Sequence, residues 1–274
     1  MTGNRMKQIQ LQADEFLENC KVMKYGIADL FGECERKGYR LIRYPIGQES
    51  VLGFSQIRDE EKIIFTNSSV RLARELFSAA HEIGHLCLHM GDIRTSYVDD
   101  AATFGDHSKG SVETEANYFA ACLLMPEEKV LKYISLEMDD KSPDLWTALD
   151  IAKMMTAFRV SFDMALNRLQ NLHKISSIQR TRLDSEKSER KVSNLLRLTG
   201  GNSLLNTVTN EKRIPSEFIG WVIDNYNRGI VPLETLTKAL SYIDVSIEDI
   251  SDELHPVYLD DSGDLEDLIG GIEE

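Results

Sequence analysis

Cysteine is scarce in this 274-residue chain, and its four copies, Cys20, Cys34, Cys87 and Cys122, show no C-x-x-C or other paired spacing. That excludes a cysteine-built zinc ribbon or a disulfide scaffold and predicts small apolar side chains that stay reduced, as in a cytoplasmic chain. The charged first twenty residues, MTGNRMKQIQLQADEFLENC, hold no apolar h-region, so no secretory signal is expected. No charge-free apolar run is long enough to span a bilayer, so no membrane partner is expected either. Positive charge is missing from residues 245–274, which carry eleven Asp or Glu and no Lys or Arg. Outside that tail the net charge of −14 shrinks to about −3, so overall acidity says little about what the folded part touches.

What is present belongs to a globular protein: 42% hydrophobic and 28% charged residues, and enough length for one main domain plus something smaller. Apolar positions at helical spacing predict two helices within 7–38, ended by Gly38. RLIRYPI (40–46), SVLGFSQI (50–57) and KIIFTN (62–67) are short β-branched and aromatic runs that predict a small antiparallel sheet. Asn67 and Ser68 are expected to cap a long helix over about 70–90 that stops at Gly91. A polar loop is expected over 92–110, then a second long helix over 112–124 that Met125-Pro126 ends. More helices are expected over 127–135 and 144–175. The class is therefore α+β and mostly helical.

The charge, Ser and Gly of 181–210 predict a linker after a main domain at 1–180. A helical pair at 216–228 and 233–242, turned at Asn227-Arg228-Gly229, gives a small helical region at 211–250. An acidic, disordered tail is expected over 251–274. No long-period repeat is present.

The chemistry sits in His81-Glu82-Ile83-Gly84-His85. On a helix, positions four apart differ by about 40° in direction, so His81 and His85 can offer two imidazole nitrogens to one metal ion. Glu82 reaches the same face and can accept a proton from water as general base. Ala80 and Gly84 are small, as expected if a metal and substrate crowd this face. The metzincin extension is excluded, because Leu88 and Gly91 stand where it needs Gly and His. A third ligand must then be a carboxylate from a later helix, and Glu113 is chosen because it shares a face with Asn117 and Ala120. Asn117 is expected to orient a ligand histidine, and Glu115 to be solvated, with Glu115 the fallback ligand. His89 is read as a capping or core residue, and His173 and His255 as surface residues. Tyr97, His107 and Tyr118 are the candidates for stabilising a substrate oxyanion.

ARELFSAAHEIGHLCLH followed by ETEANYFAACLLMP closely resembles the paired signature of the ImmA/IrrE family of metallo-endopeptidases, and KIIFTNSS resembles the strand and turn that precede its metal helix. The likeness covers about residues 15–175. It implies a zincin-like domain of gluzincin layout, with His81, His85 and Glu113 as ligands of Zn2+, or of Mn2+, and Glu82 as base. It also implies a helix-turn-helix repressor as substrate, cut to relieve repression. Many relatives carry an amino-terminal helix-turn-helix domain that does not precede the peptidase helices here, so the repressor is expected to be a separate protein. The alternatives are a non-cleaving partner of a repressor or antitoxin, and a DNA-binding regulator. For the last, AKMMTAFRVSFDMALNRL (152–169) has helix-turn-helix rhythm and 168–197 holds eight Lys or Arg against three acids. Peptidase-domain helices and a solvated linker are the preferred account of both, and direct nucleic-acid binding is not expected.

Overall fold

The computed structural model describes residues 1–58, 60–89 and 110–255, together with the backbone of 96–99. In chain order the elements are α1 (Gly3–Glu18), α2 (Leu30–Arg36), β1 (Arg40–Tyr44), β2 (Gly53–Arg58), β3 (Glu61–Asn67), α3 (Leu72–Leu88), β4 (Ser96–Asp99) and α4 (Ser111–Leu124). There follow α5 (Glu127–Glu137), α6 (Ala148–Phe158), α7 (Phe162–Asn171), α8 (Ser177–Arg190), α9 (Val192–Leu198), α10 (Glu217–Asn227) and α11 (Leu233–Ser241). The class is α+β and mostly helical. Among the described residues no helix is long and apolar enough to cross a membrane.

The sheet runs β1-β3-β2-β4 and is mixed: β1 pairs parallel with β3, while β2 is antiparallel to both β3 and β4. Two expectations change here. The sheet is not wholly antiparallel, and KIIFTN, which the sequence reading takes as an edge to which substrate could add, is an interior strand. Ile64, Phe65, Thr66 and Asn67 are buried in succession, the mark of a strand covered on both faces rather than one at a rim. β4 also places a strand within the expected loop 92–110.

Helix α3 starts later than Asn67 and Ser68 predicted. Its N-cap is Arg71, with no side-chain cap bond. Asn67 is occupied in the turn before it: Oδ1 accepts from the Ser69 amide at 2.9 Å, and Nδ2 donates to the carbonyls of Gly47 and Val51 at 2.7 and 3.0 Å. What ties α3 to the sheet is a buried ion pair, Arg43 to Glu75, whose two bonds of 2.8 and 2.9 Å form a fork. Thr66 Oγ1 donates to the same carboxylate at 2.9 Å, and the Arg43 guanidinium lies 3.9 Å from the centre of the Phe31 ring. The extended segment 207–213 straps this corner, with Leu72 N donating to Thr207 O and Arg43 bridging Arg213 through the backbone.

Residues 181–210 are not an unstructured connection. Ser176 and Gln179 form a capping box that starts α8, and Leu183, Leu195, Leu196 and Leu205 are fully buried. Within the basic run 168–197, these side chains are engaged within the fold: Arg168 donates to Met125 O at 2.9 Å, Lys187 pairs with Asp163 and Asp184, and Arg182 pairs with Glu186. α7 buries Phe162, Met164, Ala165, Leu166 and Leu169, so it is a core helix rather than a reading head for DNA.

The chain divides into a unit spanning Met1–Arg213 and a unit spanning Ile214–Glu274. The second holds α10 and α11, with Gly229 at φ +70° between them and a small core of Leu236, Leu240 and Ile250. Residues 256–274, most of the expected disordered tail, lie outside the described residues.

Candidate metal centre

Leu72, Leu76, Ala79, Ala80, Ile83 and Leu86 bury one face of α3, which fixes its rotation and turns His81 and His85 toward α4. The two helices pack very closely: a Cβ added at Gly84 would stand 3.2 Å from the Cα and carbonyl oxygen of Ala116 and from the Cβ of Phe119. Gly84 is therefore small because a helix backbone passes it. That replaces the expectation that metal and substrate crowd the position.

The close approach brings His81, His85 and Glu113 together, with one donor atom from each lying within 4.8 Å of the others. His81 Nε2 and His85 Nε2 are 2.9 Å apart. Glu113 straddles them, Oε2 at 3.2 Å from His81 Nε2 and Oε1 at 3.5 Å from His85 Nε2. Hydrogen bonds from His81 and then His85 hold the Glu113 carboxyl well below the usual carboxylate range. Burial pushes His85 below the ordinary imidazole value, against the pull of Glu113. His81 Nδ1 lies 3.0 Å from Asn117 Oδ1, an acceptor that favours the tautomer with the proton on Nδ1 and Nε2 turned to the cluster, the orienting contact expected of Asn117.

These groups fit a metal ion. With the imidazoles neutral, two buried ring nitrogens at 2.9 Å and the carboxylate across them turn lone pairs on one another, a repulsion that a cation removes. The set of two His and one Glu suits a site that keeps a position open.

Glu82, on the same helix, is fully buried and points to the sheet, where Ser55 Oγ of β2 donates to its Oε2 at 2.6 Å. Gly53, two residues earlier on β2, makes room: a Cβ there would lie 3.3 Å from Glu82 Oε1. Ser55 is the residue that sequence reasoning missed. Its signal is a hydrogen bond across 27 positions, which no local spacing carries.

Other candidates settle as follows. Glu115 is not solvated: Arg5 of α1 reaches over α4 and binds it through bonds of 3.0 and 2.6 Å. His89 caps the C-terminus of α3, 3.8 Å from Glu115. Tyr118 packs against the core beside Cys122 and Arg168. His173 and His255 are exposed. His107, Gly91 and the side chain of Tyr97 lie outside the described residues.

Residues 34–170 match the peptidase family model described as the IrrE N-terminal-like domain. Curated proteins give local likenesses. The radiation response metalloprotease IrrE of Deinococcus radiodurans is 37% identical over 75 residues, 27% of this chain and 23% of that protein. Its namesake in Deinococcus deserti is 37% identical over 93 residues, 34% of this chain and 31% of that protein. An uncharacterized immunity region protein 2 of Bacillus phage phi105 is 34% identical over 92 residues, 33% of this chain and 56% of that protein. The chain thus spans between 23% and 56% of the length of these relatives.

Proposed function

The chain belongs to the peptidase family of the IrrE N-terminal-like domain, and from that premise we propose that it is a metal-dependent endopeptidase that cleaves a helix-turn-helix repressor. The observation that carries the reading is the convergence of His81, His85 and Glu113, with Glu82 buried on the same helix and held by Ser55. His81, His85 and Glu113 would hold the metal, with zinc favoured by the two-His, one-Glu set and manganese compatible with it. When bound, such an ion supplies Lewis-acid polarisation and acidifies water.

The chain's own residues do the rest. Glu82 takes up the proton of the attacking water on its carboxylate, which Ser55 keeps in one orientation through Oε2. A binding module without catalysis has no chemical use for a carboxylate so placed beside two imidazoles. Asn117 fixes the His81 tautomer. A substrate segment adds to the sheet at the β4 edge, next to the strand that bears Ser55. The immunity region protein of a phage among the relatives supports a repressor as the substrate class. Four free thiols support a reducing compartment, the cytoplasm.

The test is incubation with helix-turn-helix repressors encoded by neighbouring genes. The wild-type chain should cleave one of them, chelation should stop it, and Glu82→Gln should slow it by about 10²–10⁴-fold. Cleavage by the Gln variant at the wild-type rate would refute the mechanism. A repressor that binds tightly and stays intact would favour the non-cleaving partner.

A further inference from the structure

A cavity of about 710 Å³ opens along α3 on the N-terminal side of His81. Its volume is typical of a pre-formed ligand site, for which about 300–1,000 Å³ is usual. Arg71, the N-cap of α3, forms one wall with Arg74 and Phe77 of that helix, and Phe162 and Met164 at the start of α7 form another. None of His81, Glu82, His85 or Glu113 lines it.

The cavity is nevertheless on the ligand face of the metal helix. Arg74, Phe77 and His81 follow one another at i, i+3 and i+7, and the Phe77 and His81 rings are 6.5 Å apart between centroids. At 1.5 Å of rise per residue, Arg74 lies roughly 10 Å along the axis from His81, the span of about three residues of extended peptide. A chain crossing the His81–His85 cluster and continuing toward the start of α3 therefore delivers a side chain into this space.

The wall chemistry is divided. Phe77, Phe162 and Met164 are apolar. Arg71 is exposed and makes no ion pair among the described residues, and Arg74 stands one turn along. Of the acids that line the cavity, Asp163 shares Lys187 with Asp184, at 2.6 Å from each, and Glu49 stands at the rim. We propose that this cavity is a substrate subsite that accepts a bulky apolar side chain next to an acidic residue, about three positions from the bond to be cut. The proposal rests on the peptidase reading for the direction of the bound chain.

The experiment uses full-length Glu82→Gln protein as bait for a displayed library of random linear peptides. Selected peptides should carry an Asp or Glu beside a large apolar residue. Arg71→Glu with Arg74→Glu should lower their enrichment by about tenfold and bring up Lys or Arg in place of the acid. Gln48→Trp, in an exposed loop at the cavity mouth, should deplete them without changing the thermal midpoint. If the double variant unfolds, Arg71→Glu alone carries the charge test. The same peptides selected from all variants, or no motif at all, would overturn the proposal. Incubating the selected peptides with the wild-type chain separates the two readings. Cuts about three residues from the motif support both, whereas a motif that depends on the arginines without any cut sinks the peptidase reading and leaves the subsite standing.

Discussion

At the scale of single residues, the site divides into groups that local spacing reveals and groups that it hides. His81, Glu82 and His85 were legible because helical geometry alone decides which of them share a face. Asn117 and Glu113 were legible for the same reason on the second helix. Ser55 was hidden, since only the fold brings β2 against α3. It holds one oxygen of the buried Glu82 side chain through a bond of 2.6 Å, at the short end of O–H···O distances. Ser55→Ala should therefore leave metal content unchanged and lower kcat by about one order of magnitude with little change in KM. Steady-state kinetics alongside metal analysis would check this, and an unchanged kcat would show that Glu82 needs no anchor.

At the scale of elements, the geometry of the cluster depends on how tightly α3 lies on α4, because the imidazoles come from one helix and the carboxylate from the other. Gly84 sets that distance. Adding a methyl there meets backbone atoms of Ala116 at 3.2 Å, and backbone cannot swing aside as a side chain can. Gly84→Ala should cost about 1–3 kcal/mol of stability and weaken metal binding together, seen as a lower thermal midpoint and a faster loss of metal to a chelator. Retention of both at wild-type values would mean that the helices adjust freely. The helices themselves were readable from apolar periodicity. Strand order was not, since the parallel pairing of β1 with β3 joins segments with β2 between them in sequence, and KIIFTN gives no sign of which neighbours cover it. The charge of 181–210 concealed four leucines that the fold buries.

At the scale of the whole molecule, the unit ending at Arg213 contains every residue of the site and the strap that secures the start of α3. We propose that the unit from Ile214 onward docks a partner, its acidic end being drawn to the basic DNA-binding face of a repressor. A chain ended after Arg213 should keep its metal and its cleavage of an unstructured peptide while losing cleavage of the folded repressor; equal losses on both substrates would argue against docking. A chain ended after Thr199 also loses buried Leu205 and the Thr207 carbonyl, and should melt lower by about 5 °C or more. The metal centre itself is tested most directly by weighing the folded chain with its bound ion in native mass spectrometry. One divalent ion per chain is predicted for the wild type and for Glu82→Gln, and loss of that ion for His81→Ala, His85→Ala and Glu113→Ala. Full occupancy in Glu113→Ala, or an empty wild-type chain after refolding with zinc and with manganese, would contradict the account.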